Sequence, residues 1–372
     1  MTNLRIPGPT PCRPEVLAAL ARPMMNYRGP EMAVLVEGLL GKQGKQGKLQ
    51  RFLETEHDVV LLSASGTGGL EAVVQNVLSP GDRVVGVDAG VFGKRFIAVA
   101  EAFGASVRTI DVEWGRALEP DTLRRVLAQE RACRAVLLTH NETSTGIRHP
   151  IEELSEVVRS ESDALLCVDG VSSLGAMPLP MDELGIDVVI SGSQKAWGVP
   201  PGMAILCLSS KAWDACEKAK MPRFYFDLRR YRDAQSRGSF PFTPSLPIVF
   251  GLDTALDFML RETAAGVFAR HARIAARARE SVRGMSHMGL ELFADEDHPS
   301  PTVTAIRVPD TIDEPALIEL LETKHDTIFA RGQEKLRGTI VRLGHLGWVQ
   351  EPEIDAALDA LRLSLEELAS AE

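Results

Sequence analysis

The sequence predicts an α/β protein, with an open, doubly wound and mostly parallel sheet in a large domain and a smaller α+β domain after it. Three observations carry that prediction. Seven short apolar runs lie between residues 59 and 208, and most are continuous rather than alternating, the mark of strands buried on both faces. Helical stretches alternate with them, as crossovers between parallel strands require. Beyond residue 208 the alternation stops and long helices dominate.

In chain order, the first 25 residues hold four prolines before Pro23 and read as an extended arm. Strands are expected at 59–62, 84–87, 107–110, 135–139, 165–169, 188–191 and 204–208, with helices at 67–77, 94–103, 119–130 and 151–160 between them. Helices at 209–220, 246–262 and 267–284 follow, then strand-like runs at 302–308 and 339–343 and a last helix at 352–369. The expected domains are an N-terminal arm at 1–25, a large domain at 26–255 and a small one at 256–372, with the boundary inside the helix at 246–262. The repeat GKQGKQGK at 41–48 interrupts a helical pattern. Its glycine spacing is wrong for a phosphate-binding P-loop, so it reads as a solvated loop or weak helix.

A chain of 372 residues, 45% hydrophobic, suffices for two or three domains around a sizeable core. Its net charge of −10 argues against nucleic acid and anionic membranes as partners. No apolar run approaches the roughly 20 residues of a membrane span. The N-terminus, broken by prolines and arginines, is unlike a signal peptide, and the final LASAE carries no lipidation or retention tag. The cysteines at 12, 133, 167, 207 and 216 form no CxxC pair. That pattern fits a reducing cytoplasm, and no metal site is expected. Cys167, inside an apolar run, reads as a buried structural thiol.

Five segments carry candidate chemistry. SASGTGGLEA (63–72) joins a strand to a helix, where glycines and helix N-terminal amides can approach a phosphate, although it lacks the GxGxxG spacing of a dinucleotide site. THNETSTG (139–146) ends a strand in small polar groups, among them Asn141, Thr143 and Ser144, which suit a polar ligand or an ordinary turn. LLCVDGVSSLGAMPL (165–179) caps a buried strand with Asp169, a carboxylate in need of a partner: a helix cap, an ion pair or a protonated ring nitrogen. In VVISGSQKAWGVPPGMAIL (188–206), Lys195 stands between two buried strands. Burial lowers a lysine pKa, and a neutral amine can condense with a carbonyl; a structural salt bridge is the other reading. GTIVRLGHLGW (338–348) sets Arg342 among apolar strand residues, where it can grip a carboxylate with two prongs or face solvent.

The order and spacing of these motifs, with PGPTP (7–11), NYRGPEM (26–32), GVFGKRF (90–96), PFTP (241–244) and IVRLGHLG (340–347), resemble the class V aminotransferases of fold type I that use pyridoxal 5′-phosphate. The resemblance runs nearly end to end and is to the alanine–glyoxylate and serine–glyoxylate branch. It implies that Lys195 carries the cofactor and that Asp169 keeps its pyridine nitrogen protonated. It implies that Phe92 stacks on the ring, that Thr67, Gly68, Gly69 and Gln194 hold the phosphate, and that Thr143 and Val171 also contact the cofactor. Thr243 matches a residue that reaches the phosphate of a neighbouring subunit, so a homodimer with active sites at the interface is implied. Arg342 matches the residue that binds the substrate carboxylate, with Gly8 and Tyr27 beside the substrate. The chain departs from animal relatives at Phe240, where they have a tyrosine at the phosphate site, so that site relies more on backbone amides.

The implied reaction moves an amino group from a small L-amino acid, alanine or serine, to a 2-oxo acid, glyoxylate. Lys195 acts first as base and then as acid. Aspartate–glyoxylate, ureidoglycine–glyoxylate and pyridoxamine–pyruvate transfer are the alternatives within the family. Against the last, the loop 65–69 has no carboxylate to repel a phosphate. A desulfurase-like lyase needs a nucleophilic cysteine near 320–340, and none follows Cys216. A non-catalytic binding or assembly protein of the same fold is the reading furthest from these, and Lys195 and Asp169 argue against it.

Overall fold

The computed structural model describes residues 2–42 and 44–370. In chain order its strands are β1 (Asn3–Arg5), β2 (Asp58–Leu62), β3 (Arg83–Asp88), β4 (Ser106–Asp111), β5 (Cys133–Thr139), β6 (Asn141–Glu142), β7 (Ile147–Arg148), β8 (Leu165–Asp169), β9 (Val188–Gly192), β10 (Ala204–Leu208), β11 (Glu291–Leu292), β12 (Val303–Arg307), β13 (Thr327–Arg331) and β14 (Ile340–Gly344). Seven of them form one sheet in the order β2-β10-β9-β8-β5-β3-β4. Pairing is parallel from β9 to β4, and β10 runs antiparallel between β9 and β2. The predicted mostly parallel sheet is therefore present, with one reversed strand near its edge.

Residue alternation explains why the strands read as continuous apolar runs. Leu61, Val85, Val136, Leu138, Leu166, Val168, Val189 and Ile205 face one core, and their neighbours Val60, Val84, Ala135, Leu137, Leu165, Cys167, Val188 and Leu206 face another. Helices cover both faces, so neither tolerates polar residues. Cys167 is one of these buried contacts and is a free thiol, as are the other four cysteines. On one face lies the helix Gly66–Val77, which packs closely because of Gly69: a Cβ there would stand 2.8 Å from Ile190 Cγ2 and 3.2 Å from Ala204 Cβ.

A second sheet has the order β1-β13-β14-β12-β11. β1 lies parallel to β13, so the first residues of the chain complete a sheet otherwise built from its last third. This corrects the extended arm expected at 1–25, which also contains the helix Pro14–Leu20 packed on Leu246–Glu262. Pro14 at the first turn starts this helix where a proline does no harm. The apolar core also changes over later than expected. Val267 belongs to the core under the large sheet and Ile274 to that of the small one, both on the helix Ala264–Gly284. We therefore propose the domain division there rather than at 255/256.

The repeat at 41–48 joins the helices Pro30–Leu40 and Lys48–Leu53 through a bridge between Lys42 and Lys45, with Gln43 outside the described residues. The loops that leave the carboxyl ends of β2, β3, β5, β8 and β9 gather at one rim of the large sheet, the place where open α/β sheets bind ligands. Gly69→Ala is expected to lower unfolding stability by ~1–3 kcal/mol through overpacking against Ile190 and Ala204, read from the urea midpoint.

Candidate active site

Lys195 sits in the turn after β9, and that turn is stitched at both ends. The Ser193 amide donates to the Met203 carbonyl (2.9 Å), the Ser193 hydroxyl to the Pro200 carbonyl (2.7 Å), and the Gly198 amide to the Lys195 carbonyl (3.1 Å). Trp197 lies buried beneath, its indole N–H donating to Ser191 Oγ (2.9 Å). The N-terminal segment crosses above. Thr10 donates through its amide to the Gln194 carbonyl (3.1 Å) and through its hydroxyl to the Lys195 carbonyl (2.8 Å). Lys195 Nζ donates to the Pro7 carbonyl (2.7 Å) and lies 5.8 Å from the centre of the Phe92 ring. Gly8 lies against the lysine stem. A Cβ there would come within 2.8 to 2.9 Å of Lys195 Cδ, Cε and Nζ, and its φ of +138° is closed to ordinary residues.

Burial lowers the Lys195 pKa to about 8, with Asp169 opposing the fall and the charges of Arg342 and Arg95 adding to it. Asp169 ends β8 and is 4% exposed. Burial raises its pKa to about 6, against the Val171 amide that donates to Oδ1 (2.9 Å). Each group sits where its charged form is disfavoured, and each supports the charge of the other. Among the described residues no hydrogen bond reaches Asp169 Oδ2, which leaves an acceptor free for a ligand. Val171 also packs on Gly66 and so joins the loops after β8 and β2.

Arg342 lies at the middle of β14, opposite Ala305 on β12 and Ala330 on β13, whose small side chains leave it room. It is 6% exposed, not on a solvent face. Nε and Nη2 donate to the Arg331 carbonyl (3.1 and 2.8 Å) and Nη1 to the Thr143 carbonyl (2.9 Å). One N–H on each terminal nitrogen remains for a carboxylate. Desolvation lowers its pKa to about 10, with Glu142 opposing, so it stays charged. The bond to Thr143 carries the small domain's arginine to the rim of the large sheet.

The phosphate-type loop divides its labour. Ser65 Oγ accepts the Gly68 amide (3.2 Å) and the Ser65 carbonyl accepts the Gly69 amide (3.0 Å). The Gly66 and Thr67 amides of the first helical turn are left for an anion. Gly69 packs closely on the sheet, with Ile190 and Ala204 against its α-carbon. Gln194 Oε1 is buried without a partner among the described residues. Tyr27 and Thr243 are not brought to this cluster in one chain. Tyr27 packs against the large core with its carbonyl on Ser239 Oγ (3.2 Å), and Thr243 is exposed. Phe240, at the departing position, is buried in the core.

Sequence reasoning missed several contributors. Pro7 and Thr10 were visible only as part of PGPTP, because their partners lie more than 180 residues away. Arg95, one helical turn beyond Phe92, lies over its ring (4.8 Å) and donates through Nη1 to Thr67 Oγ1 (3.2 Å). It has no acidic partner among the described residues. Glu142, fully buried beside the site, was a further omission.

Comparison with known proteins gives a consistent result. A family model described as aminotransferase class-V matches residues 6–341. The chain is 38% identical over 98% of its length to a soluble hydrogenase small subunit of Synechococcus, covering 93% of that protein. It is 36% identical over 92% of its length to an L-aspartate–glyoxylate aminotransferase of Paracoccus denitrificans, covering 85% of it. The crystal structure of an alanine–glyoxylate aminotransferase from Nostoc superposes with a TM-score of 0.91 at 30% identity, covering 98% of this chain and 95% of that one.

The residues present fit pyridoxal phosphate. A lysine of lowered pKa, an unpaired Asp169 oxygen, a ring face at Phe92 and free first-turn amides match an aldehyde, a ring nitrogen, a ring and a phosphate. In the cofactor-free protein, acetylation of Lys195 followed by peptide mass spectrometry is expected to reach half its maximal rate near pH 8 rather than at the ordinary 10.5, because burial favours the neutral amine. A midpoint near the ordinary value would contradict the burial. Gly8→Ala is expected to displace the Lys195 stem and weaken cofactor binding, measured by titrating the cofactor-free protein.

Proposed function

The chain belongs to the class-V aminotransferase family and is a pyridoxal-phosphate transaminase; within that family we propose that it moves the amino group of alanine or serine to glyoxylate. The observation that carries this reading is Arg342, one buried guanidinium that, among the described residues, keeps two free N–H groups at the rim and makes no ion pair. A single carboxylate anchor suits a small amino acid and a small 2-oxo acid alike, as a reaction run in both directions on one site requires.

Once bound, the cofactor supplies an aldehyde for amines and a protonated ring that draws electrons from the substrate Cα. Lys195 would carry it covalently and Asp169 Oδ2 would accept from its ring nitrogen. Phe92 would cover the ring, and the Gly66 and Thr67 amides with the Gln194 amide group would hold the phosphate. Released from the cofactor, Lys195 would be about half neutral near pH 8. It would then be placed to take the substrate Cα proton and later return it. Arg342 holds the carboxylate so that this proton faces Lys195, positioning that lowers the barrier by several kcal/mol at most sites of this kind.

One observation favours a second reading. Arg95 is a second cation without an acidic partner at the rim, and it suits a donor with a further acid group, such as aspartate. We further propose a homodimer that completes the site. Phe224 is 66% exposed, and Tyr225 stacks on Phe242 (5.0 Å) next to the exposed Thr243, an aromatic face suited to a second copy. Five unpaired cysteines support a reducing, cytoplasmic setting, and no helix among the described residues is long and apolar enough to cross a membrane.

A donor panel of alanine, serine, aspartate and pyridoxamine against glyoxylate and pyruvate tests the substrate assignment. The expected outcome is the highest kcat/KM for alanine or serine with glyoxylate; a clear preference for aspartate, lost in Arg95→Ala, would establish the second reading instead. Lys195→Ala is expected to abolish transfer and the visible absorption of bound cofactor. Arg342→Ala is expected to raise KM for donor and acceptor together by roughly 10- to 100-fold, the loss of a charged two-pronged contact.

A further inference from the structure

Glu142 has no place in the chemistry described above, yet it is completely buried at the site. It lies on the short strand β6, just after β5, and its two oxygens face only donors. Oε2 accepts the amides of Phe92 and Gly93 (both 3.0 Å), and Oε1 accepts the amide of Ser144 (3.1 Å) and its hydroxyl (2.6 Å). Ser144 Oγ in turn accepts the amide of Val91 (3.0 Å). These amides form the first turn of the helix Val91–Ala102, whose own N-cap, Gly90, supplies no side chain. The carboxylate therefore occupies a helix N-terminus from another loop, where partial positive charge and unpaired amides stabilise it.

The space is made for it. A Cβ at Gly90 would stand 2.5 Å from Glu142 Cγ and Cδ. The same short segment reaches the other side of the site, because the carbonyl of Thr143, between Glu142 and Ser144, accepts Arg342 Nη1 (2.9 Å). One buried carboxylate thus fixes the backbone that presents the Phe92 ring and the carbonyl that seats the substrate-binding arginine. Burial raises its pKa, opposed by these hydrogen bonds. The ionised form is the one that the surrounding donors match.

We propose that Glu142 is a positioning residue of the active site, coupling the cofactor-facing Phe92 helix to the carboxylate-binding Arg342 through a single anion held on four donors. The proposal rests on the transaminase reading and adds a residue to it. Glutamine is a poor replacement, because either orientation of its amide sets an NH2 against an N–H donor. Its charge also acts on Lys195, whose ammonium it supports, so removing the charge lowers the Lys195 pKa.

The test compares wild type, Glu142→Gln and Ser144→Ala in three measurements: pyridoxal phosphate affinity of the cofactor-free protein, the pH midpoint of Lys195 acetylation, and KM against kcat. For Glu142→Gln the expected result is a cofactor Kd raised about tenfold or more, a lower Lys195 midpoint, and a KM raised for both substrates. Ser144→Ala removes one donor, leaves the charge, and is expected to shift Kd in the same direction by less without moving the Lys195 midpoint. If Glu142→Gln does not fold, an unchanged Kd in Ser144→Ala overturns the proposal and a raised one supports it. Wild-type Kd, midpoint and KM in a folded Glu142→Gln overturn it while the transaminase reading stands. A wild type that binds no pyridoxal phosphate overturns both.

Discussion

The site depends on keeping one amine dry. An ammonium taken out of water is disfavoured, and the cheapest response is a lower pKa. Lys195 meets that constraint with a stem pressed on Gly8, an amine on the Pro7 carbonyl and a neighbouring carboxylate at Asp169 that is itself disfavoured as an anion. Neither partner is strong enough to fix the proton on the lysine. A closer carboxylate would have made an ordinary buried salt bridge and an unreactive amine. The architecture supplies this compromise through adjacent parallel strands, since Lys195 follows β9 and Asp169 ends β8.

Such an arrangement draws on distant parts of the chain. Residues 7–10 cover the lysine because β1 is held by β13 of the small sheet, and Arg342 on β14 belongs to that same sheet. The lysine's ceiling and the proposed substrate anchor therefore share one support. A shift of the small sheet relative to the large one would carry residues 7–10 and Arg342 together. The contact of Arg342 with the Thr143 carbonyl ties that support to the rim.

Much of this was legible in the sequence, and the gaps have physical reasons. The seven strands of the large sheet announce themselves because both faces are buried, as the alternation of Leu165 and Cys167 with Leu166 and Val168 between two cores shows. Lys195, Asp169, Phe92 and Arg342 were readable because each sits in a motif of small residues at a strand end or among apolar strand neighbours. The helix expected to start at 94 starts instead at Val91, because its cap is Glu142, some fifty residues onward, and no local Ser, Thr or Asp takes that role. β1 was missed for a like reason: at three residues it is too short to show a period and is defined by its pairing with β13, more than 300 residues away. The packing of Gly69 was not legible, because a glycine that brings a helix close to a sheet looks, in sequence, like one that brings a backbone close to a phosphate.

Local charge then explains how an acidic protein receives anionic ligands. The chain as a whole carries −10, yet at the rim three cations, Lys195, Arg95 and Arg342, stand against two buried carboxylates, Asp169 and Glu142. With Lys195 protonated the balance is positive, and with it neutral the two guanidiniums offset the two carboxylates, in a place where water screens little. Its consequence is sequential. Burial first, and Arg342 and Arg95 after it, lower the Lys195 pKa, which raises the share of neutral amine able to act on a carbonyl before a substrate arrives. A carboxylate that settled on Arg342 would offset that charge and restore proton affinity to the lysine. The same guanidinium would thus favour the nucleophile in the empty site and the base in the filled one.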